Sequence, residues 1–127
     1  MPLFHVWFAT KGRRWLLLGE VQEAAKRELQ AVASEKGIAL LECEAIVDHV
    51  HLLLDVADRR RLPRVMNDLK GISSRRVFAT FPELKMDAET EHFWQKGYGK
   101  KVVPPAALEA TKRYIRTQWE RLDGFER

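Results

Sequence analysis

The sequence predicts an α+β fold, a ferredoxin-like (RRM-like) antiparallel sheet with helices packed on it. Three observations carry this reading. Residues 3–10, 38–47 and 49–56 alternate or run together apolar, aromatic and β-branched side chains in strand-sized lengths. Residues 20–36 and 63–81 repeat apolar side chains at helical spacing. With a strand-like stretch at 92–103 and a last helix, the order becomes β-α-β-β-α-β-α.

The first strand, 3–10, ends at Lys11-Gly12. In 20–36 the stripe is Val21, Ala24, Ala25, Leu29, Val32 and Ala33, stopped by Gly37 at the position where helices adopt the left-handed conformation. The next two strands meet near Asp48, a residue type that tolerates tight turns, so they read as a hairpin. Pro63 suits the first turn of the second helix, in which Val65, Met66, Leu69, Ile72, Val77 and Phe78 supply the buried stripe up to Phe81-Pro82. Residues 85–91 read as a charged loop, and 92–103 as one or two short strands broken at Gly97 and Gly99. Pro104-Pro105 starts a final helix to about Leu122, with Leu108, Ile115, Trp119 and Leu122 on one stripe.

At 127 residues the chain suits a single domain, 1–127, that can bury a core without staples. Its 46% hydrophobic and 31% charged residues exclude the disordered and fibrous classes. One cysteine, Cys43, rules out an intrachain disulfide, and MPLFHVWFATKGRR lacks the pattern of a signal peptide, so the expected compartment is the cytoplasm. No run approaches the roughly 18 apolar residues needed to span a bilayer. The net charge of +4 favours a polyanionic partner only weakly, but Arg59 to Arg61, Lys70, Arg75, Arg76, Lys96, Lys100, Lys101 and Lys112 concentrate basic charge in the C-terminal half.

In VDHVHLLL, strand geometry puts His49 and His51 on one face and Val50, Leu52 and Leu54 on the other. Two imidazoles at i, i+2 can chelate one divalent cation, although so short a pattern is more often structural. Tyr114 and Gln118 stand four residues apart on the last helix, about 40° apart around its axis, so phenol and amide can face one point. A lone helical tyrosine usually serves packing. His5 and His92 read as structural, and no base-stacking role is assigned to Trp7, Trp94, Tyr98 or Trp119.

Together these segments resemble one family, the HUH single-tyrosine transposases of small bacterial and archaeal insertion sequences of the insertion-sequence two-hundred kind. The resemblance runs through FHVWFATKGRR, VDHVHLLL, LKGISSRRVFATFPELK, FWQKGYG and YIRTQ. It implies an HUH endonuclease fold with the catalytic tyrosine, Tyr114, on the C-terminal helix. It also implies Mg²⁺ or Mn²⁺ held by His49, His51 and Gln118, and a 5′-phosphotyrosine intermediate that requires no nucleotide cofactor. The implied substrate is hairpin-bearing single-stranded DNA, contacted by Lys70, Ser73, Ser74, Arg75 and Arg76, and the implied assembly is a homodimer with composite active sites.

Two departures stand out. Many members carry a glycine just before the tyrosine helix, where this chain has Val102-Val103-Pro104-Pro105, and the sequence ends nine residues after Gln118. Two rival readings remain: a domesticated relative acting on chromosomal repeat hairpins, and a non-enzymatic ferredoxin-like RNA-binding module, which would stack bases on aromatic residues of its sheet.

Overall fold

The computed structural model describes residues 2–88 and 92–122. Four strands, β1 (Leu3–Ala9), β2 (Ala39–Ile46), β3 (His49–Asp55) and β4 (Gly99–Val103), form one antiparallel sheet in the order β2-β3-β1-β4. The long helices α1 (Gly19–Lys36) and α2 (Leu62–Thr80) pack against each other. A short α3 (Pro82–Ala88) follows, and α4 (Leu108–Arg116) comes after β4. This is the predicted ferredoxin-like arrangement with one added helix. The expected charged loop begins inside α3, and residues 89–91 lie outside the described residues.

The local signals work as physics requires. Gly37 sits at φ +67° and its N–H donates back to the carbonyls of Ala33 and Ser34, ending α1, while Ile38 N–H bonds Ala33 O at 2.8 Å. Pro63 occupies the first turn of α2, where no N–H is needed. The hairpin differs in one detail: the left-handed residue is Val47 (φ +54°), not Asp48. A β-branched residue is strained there. Two backbone bonds hold it, Leu17 N–H to Val47 O at 2.8 Å and Val47 N–H to Leu17 O at 3.1 Å, and its side chain is buried. The turn that delivers His49 is thus fixed from α1's side of the chain.

The pleat divides the side chains of the two central strands. Phe4, Val6, Phe8, Val50, Leu52 and Leu54 join Leu29, Val32, Met66, Leu69 and Val77 in the main core between sheet and helices. Leu53, with Leu3 and Val103, forms a separate small cluster with Ile115 of α4. The helix bearing the tyrosine therefore lies on the opposite face from α1 and α2. Gly99 at the start of β4 lets the Trp7 ring lie against the strand, because a Cβ there would stand 2.1 Å from the ring.

The last helix is shorter than expected. It ends at Arg116, and Gln118 lies in the following turn before a 3₁₀ turn, Trp119–Leu122. The Thr117 hydroxyl donates to Arg113 O at 2.8 Å, and local competition of this kind is what helix ends favour.

Candidate active site

His49 and His51 project from β3 on the face that α4 partly covers, their ring centroids 4.9 Å apart. Directly across from His51 on β1 stands Trp7, and His5 lies diagonally, two residues on. Tyr114, on α4, brings its ring edge-on to His51 and to His5, 5.8 Å from each. His5, Trp7, His51 and Tyr114 line an open groove of about 680 Å³ together with Lys101 and Thr111, and His49 stands next to His51. Ile115, fully buried, fastens α4 to the sheet, and Arg116 adds an ion pair with Glu42 at 2.6 Å.

The electrostatics favour a neutral, electron-donating imidazole at His51. Burial, reinforced by His49 and His5 as neighbours, pushes the His51 pKa down to about 3, so its ring stays uncharged at neutral pH. Burial and Lys101 lower that of His5 as well. His49 bonds through Nδ1 to Asp48 Oδ1 at 2.9 Å, and Arg13 Nε pairs with the other oxygen of that carboxylate at 3.2 Å. A carboxylate can only accept, so His49 donates from Nδ1, which in the neutral ring leaves the lone pair on Nε2. The donor chemistry therefore fits a divalent cation. Gln118 is buried beneath Tyr114, and its Nε2 donates to Tyr114 O at 2.7 Å. Among the described residues it makes no hydrogen bond to either histidine.

Tyr114 is 39% exposed, enough for a macromolecular substrate to reach its hydroxyl. The Arg121 guanidinium lies 4.6 Å over its ring, placing a cation beside the phenol. Within one chain, then, the structure brings His51 beside both His49 and Tyr114, and Gln118 next to Tyr114.

The basic segment of α2 fares differently. Ser73 is fully buried and accepts the Trp94 indole N–H at 2.9 Å, while Ser74 accepts the Phe93 N–H at 3.0 Å. Lys70 donates to Gln95 O at 2.8 Å, and Arg76 grips Glu35 through two bonds of 2.7 and 2.8 Å. These four side chains make bonds within the protein, and Lys70 and Ser74 also line a groove of about 870 Å³. Arg75 is the exposed one of the five and has no such partner among the described residues; it borders the same groove with Lys11, Lys85 and Lys96. The helical stripe Met66, Leu69, Ser73, Val77 already placed Ser73 inward.

Sequence reasoning also missed three neighbours of the site. His5 carries no functional signal in the sequence, yet its Nε2 lies 2.9 Å from His51 Nδ1. Asp48 reads in the sequence as a turn residue, although a carboxylate beside a ligand histidine is a recurring partner. Arg121 gave no signal, because a 3₁₀ turn and not a helix carries it back over Tyr114. Cys43 is buried, its thiol pKa pushed up to about 12, and takes no part.

The IS200-like transposase family model matches residues 3–118. The chain belongs to that family. As a transposase of this kind it is 30% identical over 118 residues to the ISDra2 transposase TnpA of Deinococcus radiodurans, covering 93% of this chain and 84% of that one. It is 34% identical over 95 residues to the transposase for insertion sequence element IS200 of Salmonella typhimurium, covering 75% of this chain and 62% of that protein's length. A solved Deinococcus radiodurans structure described as a candidate transposase superposes with a TM-score of 0.75 at 32% identity, covering 93% and 92% of the two chains. A REP-associated tyrosine transposase, solved bound to a REP hairpin, shares the fold at a TM-score of 0.61 and 10% identity, covering 96% of this chain and 68% of that one.

Proposed function

We propose that this transposase cuts and rejoins single-stranded DNA at hairpin-bearing element ends, with Tyr114 as nucleophile and a divalent metal at His49 and His51. The observation that carries the proposal is the Tyr114 ring set edge-on to His51 on the face that also bears His49. The phenol oxygen attacks the scissile phosphorus, the P–O bond to the 3′ oxygen breaks, and that oxygen leaves as a 3′-OH. The 5′ phosphate remains on Tyr114. A 3′-OH from another strand then attacks the phosphotyrosine and releases the phenol, so the bond energy is kept and no nucleotide cofactor is needed. A Mg²⁺ or Mn²⁺ ion held by His49, His51 and the Gln118 amide would polarise the phosphate and offset its charge.

The second groove, with Lys11, Arg75, Lys85 and Lys96 at its rim, offers phosphate contacts for a folded hairpin. The structural relative solved with a REP hairpin supports a DNA hairpin as the partner. A labelled single strand carrying a hairpin should be cut in the presence of Mn²⁺ while the fully paired duplex is left intact. Equal cutting of both would identify an ordinary nuclease.

The homodimer with composite sites implied by the resemblance belongs to the same proposal. Because α4 is fastened by the small Ile115 cluster and not by the main core, the surface it covers suits a helix from a second copy equally well. Mixing inactive Tyr114→Phe chains with inactive His49→Ala chains should restore part of the activity. No recovery under proven subunit exchange would mean that each chain completes its own site.

A further inference from the structure

A neutral imidazole carries one N–H and one lone pair, so a metal-binding histidine must keep its proton on the nitrogen that faces away from the metal. In this chain both candidate ligands have Nδ1 engaged: that of His49 lies 2.9 Å from Asp48 Oδ1, and that of His51 lies 2.9 Å from His5 Nε2. The first bond has only one polarity, because the carboxylate accepts. The second has two. If His5 Nε2–H donates, His51 carries its proton on Nε2 and has no lone pair left to offer. If His51 Nδ1–H donates, His5 accepts with its own proton on Nδ1, and the His51 Nε2 lone pair is free.

We infer that His5 is a positioning residue that accepts the His51 Nδ1–H bond, fixing the ring and tautomer that aim Nε2 at the metal. The inference rests on the metal site proposed above. In this arrangement His5 is not itself a third ligand, since its Nε2 lone pair accepts from His51 and its Nδ1 carries the proton. The sheet supplies the geometry. Trp7 pairs with His51 and His5 with Leu53, which makes the two histidines diagonal neighbours on one face, near enough for rings to meet. The His5 ring is itself held at 5.1 Å from Trp7 and 5.8 Å from Tyr114. It therefore links β1 to the metal position and to the nucleophile's helix.

Two variants and two readouts test this. Long-range ¹⁵N–¹H correlation on the metal-free protein should show wild-type His51 as the Nδ1–H tautomer. His5→Leu removes the acceptor and should shift His51 toward Nε2–H; His5→Gln, whose amide oxygen accepts, should restore Nδ1–H. Calorimetric titration with Mn²⁺ alone should show His5→Leu weakened by roughly 10- to 100-fold, with His5→Gln recovering most of that loss. A wild-type His51 found as Nε2–H, or a His5→Leu variant that binds Mn²⁺ as tightly as wild type, overturns the inference and leaves the metal site standing. Equal weakening in both variants with the His51 tautomer unchanged also overturns it, by reducing His5 to a packing role. No Mn²⁺ binding by the wild type overturns the metal site and this role together.

Discussion

Tyr114→Phe should abolish the covalent protein–DNA adduct and lower strand cleavage by on the order of 10⁴-fold or more, since the other hydroxyl lining the groove, that of Thr111, is held by its bond to Ala107 O at 2.8 Å. Wild-type protein mixed with Mg²⁺ and a labelled hairpin substrate should give a denaturation-resistant adduct on the 3′ segment, joined through its 5′ phosphate. A metal nuclease that activates water leaves no such bond, which makes the outcome binary. Tyr98, the other tyrosine, packs partly buried against the main core, so Tyr98→Phe should leave the adduct detectable. An adduct that survives Tyr114→Phe and maps to another residue would remove the central step of the proposed chemistry.

The His49→Ala, His51→Ala double variant should lose both Mn²⁺ binding and cleavage while keeping its fold. The loss in affinity should exceed the roughly 10- to 100-fold expected from losing an outer hydrogen-bond partner, because the ligands themselves are gone. The fold should survive because the main core lies on the other face of the sheet, built from Val50, Leu52 and Leu54 of the same strand. What the variant loses is the hydrogen bonds to Asp48 and His5, about 0.5–1.5 kcal/mol each. Circular dichroism and a chemical unfolding curve check that side, and calorimetry checks the metal. An unchanged Mn²⁺ affinity would mean the ion binds elsewhere.

The two predictions differ in how much of their basis was readable beforehand. The partition of His49 and His51 from Val50, Leu52 and Leu54 follows from the two-residue period of a strand and needed no tertiary information. The same holds for Gly37 closing α1 and Pro63 opening α2, where backbone φ and a missing N–H act locally. Tyr114 was legible only through its resemblance to a family, because a lone helical tyrosine carries no chemical signature of its own.

What the sequence determined, then, was the order of elements, the faces of the strands and the identity of the two histidines, all properties set within a few residues. Tertiary structure decided the rest. Ser73, Ser74, Lys70 and Arg76 look like a cationic helix face in one dimension, but the 92–97 segment and Glu35 arrive from elsewhere in the chain and engage them. Val47 takes the strained turn conformation because Leu17, thirty residues earlier, pairs with it. His5 becomes the neighbour of His51 only because β1 and β3 pair in one particular register, and a shift of one residue would turn it to the other face. Contacts between distant segments depend on register and docking, which no local period encodes.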